Sequence, residues 1–250
     1  MSQFPNLFGQ QPYGPRSGIP QDYESEQVNS LALGRFFNAV YAWMCSGLAL
    51  SAVVAWYVAS RPEILAKFGL GGMIALFIAQ VVLVSVIAGA TQRLSAGVAA
   101  ALFMLYAALN GVMLSGIFMM YSHAAIGSAF AITAGMFGAM SLYGFLTHKD
   151  LTGLGSMLFM ALVGLVIASF VSIFWRNTIL GTIINYVGVL IFTGLTAYDT
   201  QKLKVWAIQT GGNAALAARL SINGALTLYL DFINLFILIL RIMSQNRRDD

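Results

Sequence analysis

Residues 94–148 read LSAGVAAALFMLYAALNGVMLSGIFMMYSHAAIGSAFAITAGMFGAMSLYGFLTH, without one Asp, Glu, Lys or Arg. A helix crosses the hydrocarbon core of a bilayer with about 20 apolar residues. The interval is long enough for two such helices, and Ser122 and His123 mark the turn between them. The same silence recurs on either side. No charged side chain lies between Arg35 and Arg61, Lys67 and Arg93, Asp150 and Arg176, or Arg176 and Asp199. The spacing predicts helices near 36–59, 70–90, 96–120, 124–146, 153–175, 178–200 and 220–242. The chain is therefore expected to be an all-α, polytopic membrane protein with seven transmembrane helices, the last interrupted by Asp231.

Composition supports this. Charged residues make up 9% of the chain and hydrophobic ones 59%, with a mean hydropathy of +0.79. A soluble domain carries roughly 25% charged residues, so the bilayer is the solvent. Hydrophobicity excludes a disordered chain, while five prolines and a single cysteine exclude collagen and disulfide scaffolds. Cys45 lies inside the first span and reads as a small apolar filler. The net charge of +4 is carried by residues beside apolar spans, which points to anchoring at the membrane surface and not to nucleic acid. No phosphate loop, dinucleotide fingerprint or zinc spacing appears. His123 and His148 fall at opposite membrane faces, which argues against a shared metal site.

Residues 1–34 hold four of the five prolines among Gln, Gly, Ser and Asn. This composition predicts a disordered tail and resembles neither a signal peptide nor a transit sequence. A seven-helix domain over 35–243 and a short charged tail over 244–250 complete the expected organisation. With the N-terminus inside, the inner segments hold Arg16, Arg35, Arg93, Lys149, Lys202, Lys204 and Arg219. The outer loops hold Arg61, Lys67 and Arg176. Arg241, Arg247 and Arg248 fall on the outer side after a seventh span and narrow this bias. The Lys/Arg rule still favours the N-in orientation.

Within the spans, Gly111 and Ser115 of the third helix and Gly135, Gly138, Ala139 and Gly144 of the fourth are small enough for close helix packing. Gln80, Asn110, Asn185, Asn223 and Asn234 should face the protein interior, bonding other helices or lining a polar path.

Two acids stand apart. Asp199 follows the apolar run Val187–Ala197, and Asp231 sits among Leu228, Leu230, Phe232 and Ile233. A carboxylate at bilayer depth costs about 2.5–3.5 kcal/mol and marks a functional site by default. At about 1.5 Å per residue, Asp231 lies some 15 Å below Ser221, and Asp199 about 8 Å below Lys204. A polar connection over 202–221 makes the sixth and seventh helices antiparallel neighbours. Contact between the two acids is then open but not forced. If they meet, they should share a proton and titrate as one unit.

The stretch Leu195–Thr196–Ala197–Tyr198–Asp199–Thr200–Gln201–Lys202, with Gly224–Ala225–Leu226–Thr227–Leu228–Tyr229–Leu230–Asp231–Phe232, resembles the Bax inhibitor-1 family. The resemblance covers about residues 36–242 and looks like that of a bacterial member. It implies seven helices with the seventh enclosed by the other six. It also implies a pH-sensitive calcium leak channel of the inner membrane, gated by Asp199 and Asp231. Arg93 becomes a candidate latch for one aspartate, or an ordinary loop charge. Calcium takes 6–8 oxygen ligands, so Asn185, Asn234, backbone carbonyls or water would complete a weak site. No resident cofactor is expected, and the partners are the bilayer, calcium and protons. Two rival readings stand beside it. A regulator that binds other membrane proteins would use the small-residue helix faces. An intramembrane aspartyl protease matches at Ala197–Tyr198–Asp199 but lacks its second motif, because Tyr229–Leu230 stands where Gly-x-Gly is required. The chain is not expected to be an enzyme.

Overall fold

A computed structural model describes residues 21–89, 94–175 and 178–246. Seven α-helices follow in order: α1 Gln21–Ala59, α2 Pro62–Gly89, α3 Ala96–Met120, α4 His123–Leu146, α5 Thr152–Phe174, α6 Thr178–Gln209 and α7 Ala214–Asn246. All seven are long and apolar enough to cross a membrane, and no strand occurs among the described residues.

Local chemistry explains the helix ends. Ser95 and Ser122 cap α3 and α4, each Oγ accepting a backbone N–H, from Val98 and Ala125 respectively, at 3.3 Å. The α3–α4 turn thus falls where Ser122 and His123 place it. Gly69, at φ 55°, breaks α2 between a short leading segment and the membrane span, so the span begins near residue 70 as expected. Two helices run longer than their apolar stretches suggest. No proline lies between Pro20 and Pro62, and α1 starts at Gln21, so residues 21–34, assigned to the tail by composition, continue the first helix. Residues 1–20 lie outside the described set. The polar stretch 202–221, expected as a connection, is mostly helix as well. Only Thr210–Asn213 form the turn between α6 and α7, since polar residues interrupt a transmembrane pattern without breaking a helix.

Burial sets the layers. In α7, 61% of the membrane window is buried, against 11% for α5 and 17% for α2. From Ala225 to Leu240, α7 is buried nearly all round and, apart from Thr227, Asp231 and Asn234, apolar, as a central helix must be. It packs directly on α1, α3, α4 and α6; α5 leans on α6, and α2 on α3 and α1. The enclosure of α7 is thus immediate through four helices, with α2 and α5 standing further out. The outward side chains of α5, such as Phe159, Met160 and Phe170, are exposed and face lipid.

Candidate functional site

The site begins with the α6–α7 hairpin. Its four-residue turn uses Gly211 at φ 54° and Gly212 at φ 83°, a backbone region that costs any other residue a steric penalty. Asn213 Oδ1 then accepts the Leu216 N–H at 3.0 Å and caps α7. Two glycines let the helices close on one another. A methyl at Gly224 would stand 2.5 Å from Leu203 Cδ2, and one at Gly188 would stand 2.8 Å from Leu238 Cδ1. These contacts fix an antiparallel register in which Asp199 of α6 and Asp231 of α7 face each other.

The two side chains stand close enough for their charges to act on one another. Asp199 is 9% exposed and Asp231 is 5% exposed. Asp231 Oδ2 is buried without a hydrogen-bond donor in the structure. Lys202, one turn beyond Asp199, acts on it electrostatically but stacks on aromatic rings, 5.2 Å from Trp206 and 6.0 Å from Tyr198. Among the described residues neither aspartate forms an ion pair at 4 Å or closer. Two facing carboxyls without a fixed cation are suited to hold a proton between them or a cation of the right charge.

The residues before Asp199 are held from two sides. Gly144 of α4 stands against the carbonyl of Ala197, and Gly155 of α5 against the ring of Tyr198, both too closely for a β-carbon. On the next residue, Thr200 Oγ1 lies 3.0 Å from Ser141 Oγ, and Ser141 in turn bonds Tyr41 of α1. Since Thr200 donates to Thr196 O at 2.7 Å, the direction is set: Tyr41 donates to Ser141, and Ser141 to Thr200. On the α7 side, Tyr229 is fully buried. Asn110 Nδ2 donates to its hydroxyl at 2.7 Å, and Ser51 Oγ lies 2.6 Å away. Ser51 itself donates to the Ala107 carbonyl at 2.7 Å, so Tyr229 donates to Ser51. Sequence reasoning did not single out Tyr41, Ser51, Ser141 or Tyr229 as functional, although Tyr229 sits inside the quoted motif. Small hydroxyls among apolar residues carry no spacing signal.

A cavity of about 580 Å³ opens between α2, α3 and α7 and gathers Gln80, Asn110 and Asn234, with Tyr121 and Arg241 toward the end remote from the α6–α7 turn. Three of the five polar residues expected to face inward therefore share one space. Gln80 Nε2 is buried there without a partner, and Asn234 Nδ2 donates to the Leu230 carbonyl at 2.8 Å. Asn234 thus lines the cavity, whose lining includes neither aspartate. Asn185 is buried on α6 but lies fourteen residues, roughly 21 Å, before Asp199 along the axis, and does not join the pair. Arg93 lies outside the described residues. Gly111 supports close packing of α3 on Ser51 of α1, whereas Gly135 and Gly138 face open space. His123 and His148 stand at opposite ends of α4.

A seven-helix membrane bundle with a carboxylate on its central helix, opposed by another on the neighbouring helix, defines the class: a multi-pass membrane protein with paired intramembrane acids. The chain matches the family model described as "Inhibitor of apoptosis-promoting Bax1" over residues 33–248, and it belongs to that family. It is 51% identical to the inner membrane protein YbhL of Escherichia coli K12 over 86% of this chain and 93% of that one. It is 42% identical to an uncharacterized protein of Borreliella burgdorferi, covering 91% and 99%. A membrane protein of Streptococcus pyogenes serotype M3 is 35% identical, covering 87% and 96%.

Proposed function

We propose that this protein is a pH-sensitive calcium leak channel, not an enzyme, gated where Asp199 meets Asp231. The observation that carries the reading is the pair itself: two buried carboxyls on adjacent helices, with Asp231 Oδ2 lacking a donor. In a low-dielectric interior two adjacent negative charges repel strongly. A single proton between the carboxyls holds α6 against α7. When both ionise, the repulsion is relieved by separation or by a divalent cation. The pair offers at most four oxygens, and calcium takes 6–8 ligands, so water completes a weak, exchangeable site of the kind conduction needs. Burial of the pair corresponds to the closed state. The polar cavity of Gln80, Asn110 and Asn234 forms the vestibule on the far side of α7. Asn185 lies too far along α6 to ligate an ion at the pair.

We place the protein in a bacterial inner membrane with the N-terminus inside. The Escherichia coli relative, itself named an inner membrane protein, and the Lys/Arg distribution support this. The test is calcium entry into dye-loaded liposomes carrying the purified protein, scanned from about pH 5 to 8, because a coupled dyad loses its protons in two separate steps. Flux should exceed that of empty vesicles and fall in the Asp199→Asn/Asp231→Asn variant. Equal flux with and without protein at every pH overturns the reading.

A further inference from the structure

Where α4 ends and the chain crosses to α5, a pocket of about 520 Å³ lies against the last turns of α6. Its charged lining is Lys149, Lys202, Lys204 and Asp150, with His148 beside them. Three ammonium groups face one carboxylate. That carboxylate is already engaged: Asp150 Oδ1 accepts the Thr152 hydroxyl at 2.6 Å and the Thr152 N–H at 2.9 Å. Lys204 reaches the Phe145 carbonyl at 3.2 Å, and Lys202 lies over the rings of Trp206 and Tyr198. Gln201 braces the loop, accepting the Leu151 N–H at 2.9 Å and donating to the Lys149 carbonyl at 2.8 Å. The result is a braced cationic pocket with excess positive charge.

Its depth identifies the ligand. Beyond the lysines, toward the end of α6, Val205 is 49% exposed and Ile208 is 64% exposed. On the other side, Leu142, Leu146 and Met157 are exposed along α4 and α5. The lysines are thus bracketed by apolar surface, which places them at the level of lipid headgroups and not in open water. Trp206 beside Lys202 is the amphipathic anchor expected at that level. We propose that this pocket binds the phosphate of an anionic membrane phospholipid, whose acyl chains lie along the exposed faces of α4 and α5. Basic pockets between helices at a membrane face bind such headgroups.

The test uses the full-length protein in detergent, with dioleoylphosphatidylglycerol and dioleoylphosphatidylcholine as probes and native mass spectrometry as the readout. Phosphatidylglycerol should bind preferentially. Lys149→Gln/Lys202→Gln, both exposed side chains, should weaken that binding about 30-fold. Arg61→Gln, at the other membrane face, should leave it unchanged. Lys149→Gln alone, in a loop, should weaken it by a smaller factor and guards against misfolding of the double variant. Millimolar inorganic phosphate should not displace the lipid. Equal binding of the two lipids, unaltered binding in both lysine variants, or displacement by phosphate overturns the proposal.

Discussion

Gly144 of α4 and Ala197 of α6 meet backbone to backbone: a β-carbon on Gly144 would overlap the Ala197 carbonyl oxygen. The contact lies two residues before Asp199, so helix spacing and site geometry depend on the same glycine. Gly144→Ala forces α4 away from α6 and should cost about 1–3 kcal/mol, the usual penalty of overpacking. Gly138→Ala, which meets nothing within 4 Å, should be near neutral. Thermal unfolding in detergent separates the two, and equal melting temperatures would refute the close approach.

Calcium and protons should compete at the aspartate pair. Carboxylates bind a metal only when deprotonated, so metal affinity weakens as pH is lowered. The calcium concentration giving half-maximal flux should therefore rise as pH falls, and Asp231→Asn should flatten the dependence. The same variant removes the desolvation cost of a buried charge, so its melting temperature should equal or exceed that of the wild type. Loss of flux together with loss of fold would show that Asp231 serves structure instead.

The hydroxyl of Tyr229 joins three helices through Asn110 and Ser51. Tyr229→Phe keeps the ring contacts with Phe103 and Tyr106 but strands the Asn110 amide. The expected cost is about 1–3 kcal/mol, that of a buried donor left unsatisfied. In a double-mutant cycle, Asn110→Leu should reduce the cost of Tyr229→Phe, because the stranded group is gone. Additive losses would mean that the bond contributes nothing.

Asp150 gives a pH effect of known sign outside the membrane spans. The Thr152 hydroxyl, and next its backbone N–H, hold the Asp150 carboxyl below the ordinary carboxylate value. A lowered folded-state pKa stabilises the fold fully above the unfolded value of about 3.9 and loses that contribution as pH falls through the lower value. Wild type and Asp150→Asn should therefore differ in melting temperature near neutrality and converge in strong acid. A gap that persists unchanged at the acid limit would contradict the assignment.

Charge placement made the seven helices and the two aspartates legible, because in lipid a charged residue is either at an interface or functional. The apolar runs located Ser122 at its turn and the start of the α2 span near Gly69. They failed over 202–221, where Lys202, Lys204 and Arg219 read as a loop. Hydropathy reports where a helix leaves the membrane and not where it ends. For the same reason the facing of Asp199 and Asp231 could not be settled, since their register depends on a turn four residues long. Tyr41, Ser51 and Ser141 gave no warning, as a hydroxyl becomes part of a network only through partners distant in sequence.

Gly211 and Gly212 both adopt positive φ, and each should lose about 1–2 kcal/mol when replaced by Ala. The consequence reaches further than stability. The register between Gly224 and Leu203, and between Gly188 and Leu238, follows from where the turn ends, and the same register opposes Asp199 to Asp231. Inserting one alanine between Gly212 and Asn213 rotates α7 by about 100° against α6 if the hairpin does not absorb it. Calcium flux should then fall as far as in Asp231→Asn, with helical content by circular dichroism unchanged. An insertion that leaves the flux and its pH profile intact would show that the turn does not set the pairing.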